Sequence, residues 1–123
     1  MPTDQYLAAK VIDHITGATV FVAPDNLYLS LYADTECLIE ITGGSYSRQT
    51  LVLPAVATNQ FTTTTTSNVS FIGMPACTVQ GAGVHDDVAS GNRFFYAPTP
   101  TAIVVAPGDT VTFSAGQLVM GAT

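Results

Sequence analysis

Few side chains in this 123-residue sequence could do chemistry: two histidines, two cysteines, three Lys or Arg residues and nine acidic ones. The densest cluster is His85-Asp86-Asp87, within VHDDVASGN. As metal ligands these groups would have to converge on one point, but neighbouring residues of a strand face opposite ways. The spacing fits no zinc or calcium loop, and the other histidine, His14, falls on a predicted helix. The segment reads as a solvated loop between strands; the enzymatic alternative is a small hydrolase using His85 with Asp86 or Asp87. A reactive thiol needs an electropositive, partly open site. Cys37, in CLIEI, and Cys77, in ACTV, have apolar neighbours and read as reduced core residues. On the residues alone, no catalytic, cofactor-binding or metal site is assigned.

The stretch EITGGSYSRQTL, residues 40–51, poses a second question. A phosphate loop needs a glycine-rich turn opening into a helix, and a nucleophile elbow needs G-x-S-x-G between strand and helix. Here the turn runs into TLVLP, a strand stopped by proline, so it reads as a hairpin or bulge turn with Gly43 and Gly44 at positive φ. In a chain so short of cations, Arg48 is expected to pair with a carboxylate such as Glu40, across the turn or across a subunit boundary. Tyr28, Tyr32, Tyr46, Phe94, Phe95 and Tyr96 read as core and inter-strand packing; the alternative is an aromatic platform for sugar.

The elements that must position these groups follow from periodicity. Residues 3–16 read as a helix, with Thr3 or Asp4 as cap, Gly17 as stop, and Leu7, Val11 and Ile15 on one apolar face. After Gly17 the period becomes two. Short strands are expected in ATVFVAP, LYLSLYAD, CLIEITGG, SRQTLVLPA, SNVSFIGMPA, ACTVQGAGV, RFFYAP, TAIVVAP and DTVTFSAG, separated by Gly, Pro, Asn and Asp turns. ATNQFTTTTTS, residues 57–67, reads as an exposed loop or edge strand. The predicted fold is all-β: one antiparallel β-sandwich or jelly-roll-like domain over residues 1–123, with the helix at 3–16 and the sandwich over 18–123.

The composition narrows the function. A net charge of −6 offers no basic footprint for nucleic acid and none for an anionic membrane surface. There is no basic segment followed by an apolar run at the start and no apolar run of about 18 residues, so the chain is expected to fold in a cytoplasm. Only 10% of residues are charged, against about 25% in a typical soluble domain. Partner subunits are therefore expected to cover part of the surface.

The order of the pieces adds a resemblance. A short helix YLAAKVIDHITG is followed by NLYLSLYAD, EITGGSYSRQTL, NVSFIGMPA, GVHDDVASGNRFFYAP and VAPGDTVTFSAGQLVM. This arrangement resembles a family of small tailed-bacteriophage virion proteins commonly labelled tail fibre protein, over roughly residues 6–120. Its most specific pieces are Glu40 to Arg48, Asp86 to Tyr96 and Gly108 to Leu118. The resemblance implies a non-enzymatic virion structural protein, made in the bacterial cytoplasm and needing no cofactor. It implies packing or interface roles for Glu40, Gly43, Gly44, Tyr46, Arg48, Asp86, Asn92 and Tyr96. The implied partners are further copies of the chain (a homo-oligomer such as a trimer), tail, neck or major capsid proteins, and a host surface receptor. A tail fibre module, a neck ring component, a capsid decoration protein and a glycan-binding module all fit.

Overall fold

The computed structural model describes residues 1–56 and 62–121. Among these residues one helix, α1 (Gln5–Thr16), precedes eight strands: β1 (Leu27–Tyr32), β2 (Gln49–Leu51), β3 (Thr62–Thr64), β4 (Val69–Phe71), β5 (Cys77–His85), β6 (Arg93–Val105), β7 (Val111–Phe113) and β8 (Val119–Gly121). All pairings are antiparallel. The largest sheet has the order β2-β1-β5-β6, and two ribbons, β3-β8 and β4-β7, complete the set. Leu29, Leu31, Val79 and Val84 from the sheet meet Phe71, Val111 and Phe113 from the β4-β7 ribbon, with Leu118 and Met120 beside them, in one buried cluster. This is the expected all-β architecture with a single N-terminal helix.

The helix forms for the reasons its sequence gives, but it docks differently. Asp4 caps it by accepting from the Tyr6 N–H at 3.4 Å, and Gly17 ends it in the left-handed conformation at φ 79°. Of the expected apolar face only Leu7 is buried, while Val11, Ile12 and Ile15 are exposed. The anchor is aromatic instead: Tyr6 stacks on Phe94 with centroids 5.7 Å apart, and Phe21 meets the same ring at 5.9 Å. These contacts lie before and after the apolar stripe, so the last turns of the helix stand off the sheet.

Three strand expectations are corrected. Residues 18–24 form no strand, because the Asp13 carbonyl and His14 side chain take the N–H groups of Ala18, Thr19 and Phe21. Residues 37–44 contribute only a bridge between Glu40 and Tyr32, since Cys37 turns the chain at φ 56°. RFFYAP and TAIVVAP join into the single strand β6, with a register shift between Val79 and Gly81 taking up the proline-rich middle. In the threonine run, Thr62–Thr64 pair with β8, and residues 57–61 lie outside the described residues. The outer edge of β6 is protected twice: Asp4 N–H and the Pro2 carbonyl bond to Phe94 and Tyr96, and Pro98 and Pro100 remove donors further along.

Strand β1 is buried on both sides. Leu29 and Leu31 face the core, while Ser30 and Tyr32 face the other way and are still buried. Segment 33–40 and two arginines cover that second face, and it can close only because β5 carries glycines there. A Cβ at Gly81 would lie 2.5 Å from Cys37 Sγ and 2.9 Å from the Asp34 carbonyl oxygen. Gly81→Ala is therefore expected to cost roughly 1–3 kcal/mol through overpacking, read as a lowered urea midpoint. Adding Cys37→Ala should recover part of that loss; no recovery would mean the thiol is not what the methyl meets.

Candidate functional site

The covered second face of the sheet opens into a cleft of about 420 Å³, lined by Asp4, Tyr32, Glu40, Arg48, His85 and Arg93 among others. It gathers two of the three basic residues of the chain. Each wall is an ion pair that ties loops together.

The first wall grows from the GGSYSR turn. Gly43 and Gly44 adopt φ 104° and 55°, and the Tyr46 N–H closes the turn on the Gly43 carbonyl. A Cβ on Gly44 would sit 2.8 Å from the Gly73 carbonyl oxygen and 2.9 Å from Pro75 N, so this turn is pressed against segment 73–75 as well as strained in φ. The turn delivers Tyr46, whose ring stacks on core Phe71 at 5.8 Å. Its hydroxyl accepts from the Leu31 N–H at 3.0 Å and donates to Glu40 Oε2 at 2.8 Å. Burial, with the Glu40 charge beside it, pushes the phenol far above its ordinary range. Arg48 completes the wall as expected: Nε donates to Glu40 Oε2 at 2.9 Å and Nη2 to Glu40 Oε1 at 2.7 Å. Burial alone would raise the Glu40 pKa, but the hydrogen bonds from Arg48 and Tyr46 outweigh it and hold the carboxyl below its usual value.

Arg48 also reaches the loop between β5 and β6, donating through Nη1 to the carbonyls of Asp87 and Ser90 at 3.0 and 2.7 Å. Here the acidic pair has a structural use. Asp86 Oδ1 accepts from the Asn92 N–H at 2.7 Å, while the Asp86 N–H donates to the Asn92 carbonyl. Asp87 Oδ1 accepts from Ala89 and Ser90, and these backbone donors lower its pKa. Both carboxylates are thus turned onto their own loop.

The second wall is one that sequence reasoning missed. Arg93 Nε donates to Asp4 Oδ2 at 2.6 Å and Nη1 to the Cys37 carbonyl. Its guanidinium lies 4.1 Å from the Tyr96 ring centroid and 5.6 Å from that of Tyr32. Asp4, expected only as a helix cap, ties α1 to β6 through this pair. Scarcity of cations was the available signal: Arg93 follows Asn92 directly and invites the same question as Arg48.

The floor corrects the reading of His85, which is no part of a solvated loop. It ends β5, is buried, and lies opposite Tyr28 in the sheet. Ser30 Oγ donates to the Gly83 carbonyl at 3.1 Å, so it accepts from His85 Nδ1–H at 3.1 Å, and His85 Nε2 accepts from the Tyr32 hydroxyl at 3.3 Å. That tautomer points the proton at the serine rather than drawing one from it, and Ser30 has no exposed surface. Cys37 is buried as expected, though in a turn. Its thiol donates weakly to the carbonyls of Ala97 and Ala82, and burial pushes its pKa up despite nearby Arg93.

Of the eight sequence-assigned residues, Glu40 and Arg48 line the cleft and Tyr46 braces them from the core side. Gly43 and Gly44 shape the adjoining turn, Asp86 and Asn92 close the loop that Arg48 holds, and Tyr96 lies beneath Arg93. Among the described residues no group of three or more His, Cys, Asp or Glu side chains is placed to hold a metal ion, and no helix is long and apolar enough to cross a membrane.

No curated protein matches the chain. A family profile described as Podophage GP4 fiber I protein gp80 matches residues 2–121, a span that takes in the capped helix, both arginine clamps and the last strand. The chain belongs to that podophage fibre family and is a phage virion structural protein.

Proposed function

We propose that this protein is a non-enzymatic fibre module, working as a homo-oligomer in particle assembly or host attachment, at the tail or neck. The whole-length family match carries the reading. The chemistry of the cleft supports it: charges there are paired, carboxylates face loop amides, and the histidine–serine pair is oriented away from base catalysis. Such a site holds loops in fixed positions, as an assembly subunit requires. The low proportion of charge on the chain suits a surface that meets other subunits.

The test is copy number per particle, by quantitative mass spectrometry of purified virions against the major capsid protein. A few to a few tens of copies are expected. Hundreds would favour a capsid decoration protein bound to the lattice, and none would overturn the virion assignment.

A second reading, direct contact with a saccharide receptor, is favoured by the cleft itself. It is open to solvent and sets Arg48 and Arg93 beside the carboxylates of Glu40 and Asp4, polar groups of the kind that hold hydroxyl-rich ligands.

A further inference from the structure

We propose that residues Val20–Val22 form an edge strand that pairs, antiparallel and about a two-fold axis, with the same residues of a second copy; this rests on the homo-oligomer reading above. The sequence ATVFVAP is strand-forming, yet residues 20–24 belong to no helix or strand. The side chains nonetheless alternate as in a half-buried strand. Phe21 is turned in against Phe94, whereas Val20 and Val22 are 74% and 81% exposed. The backbone alternates too. Phe21 donates its N–H inward to His14 Nδ1 at 3.1 Å, while the N–H and C=O groups of Val20 and Val22 bond to no described residue. A strand whose odd and even positions differ in this way has one used edge and one open edge.

The open edge fits a copy of itself. Two-fold antiparallel pairing centred on Phe21 sets Val20 of one protomer opposite Val22 of the other, twice, and each such pair can exchange both N–H···O bonds. Phe21 then faces Phe21 across the axis, at a position whose N–H points away, which is where the His14 bond already takes it. Close to the axis, a charge would lie near its own like-charged copy. Residues 15–24, ITGATVFVAP, carry none, in a chain of net charge −6. The exposed Val11, Ile12 and Ile15 on the preceding helix turns adjoin this segment in the chain and extend its apolar character.

Sedimentation velocity on the purified full-length chain, over a wide concentration range, tests this. Wild type is expected to self-associate. Val20→Asp and Val22→Asp, both at exposed positions, should weaken association at least about tenfold while leaving the far-UV circular dichroism of the dilute protomer unchanged. Amide exchange at residues 20 and 22 should slow in the associated wild type and quicken on dilution. Wild type that stays monomeric throughout would overturn both this pairing and the homo-oligomer reading. Oligomers that persist in both Asp variants would overturn the pairing and leave the oligomer standing on another surface.

Discussion

Arg48→Ala is expected to lower the free energy of unfolding by about 3 kcal/mol, with a fall in melting temperature of roughly 10 °C. The side chain is 8% exposed and grips Glu40 bidentately, and its Nη1 holds the carbonyls of Asp87 and Ser90. Its removal leaves Glu40 charged with the Tyr46 hydroxyl as its remaining side-chain donor. An uncompensated carboxylate in a buried site costs about 3–5 kcal/mol. Glu40 is 27% exposed, so water offsets part of this and the low end applies. Glu40→Gln in the Arg48→Ala background should recover stability, because the stranded charge is then gone. Arg48→Lys should fall between, since an ammonium restores charge but cannot fork across a carboxylate. A loss under about 1 kcal/mol for Arg48→Ala, the size found for exposed pairs, would show that the wall adds little to stability.

Why this wall was legible in the sequence, and the opposite one was not, comes down to chain distance. Glu40, Tyr46 and Arg48 lie within nine positions of one another, and a turn between them brings a lone cation back to a nearby acid. Arg93 and Asp4 are joined across most of the chain by the docking of the N-terminal segment on β6, which local periodicity does not report. The same division holds for the fold. LYLSLY, with its strict alternation, and CTVQGAGV formed strands where expected, β5 running one residue further to His85. ATVFVAP has the same character and stayed unpaired, because its strand-forming residues follow a helix end whose Asp13 and His14 hold the first amides. His85 was placed with the hydrophilic residues that follow it. What buries it is a strand pairing with β1 and two small neighbours on the same face, Ser30 diagonally across the pair and Gly83 two positions earlier on β5. That burial is a property of the sheet and not of the local sequence.

That burial has a consequence in acid. His85 has its pKa lowered to about 4 by burial first and then by the positive charges of Arg48 and Arg93; Glu40 and Asp86 oppose this and are outweighed. In the unfolded chain an imidazole titrates at about 6.5. Between these values the unfolded chain binds a proton that the folded protein does not, so stability falls as the pH falls. The contribution is intact above about pH 6.5 and is lost progressively toward pH 4, with a total of roughly 3 kcal/mol at most. Glu40, held low by Arg48 and Tyr46, adds a loss of the same sign at more acid pH, beginning below its ordinary 4.5. The two can be separated. Urea unfolding of wild type at steps from pH 7.5 to 4 should show the midpoint falling throughout the upper range. His85→Gln retains an amide that can donate to Ser30 or accept from Tyr32, and it should be flat from pH 7.5 to about 5 and decline only below that. A wild-type midpoint constant down to pH 4.5, or a slope that survives His85→Gln, would mean the proton enters elsewhere. With the expected outcome, the floor of the cleft stays neutral down to about pH 4 and the proton is taken up first by the unfolded chain, so acid weakens the fold without charging His85 between its two arginines.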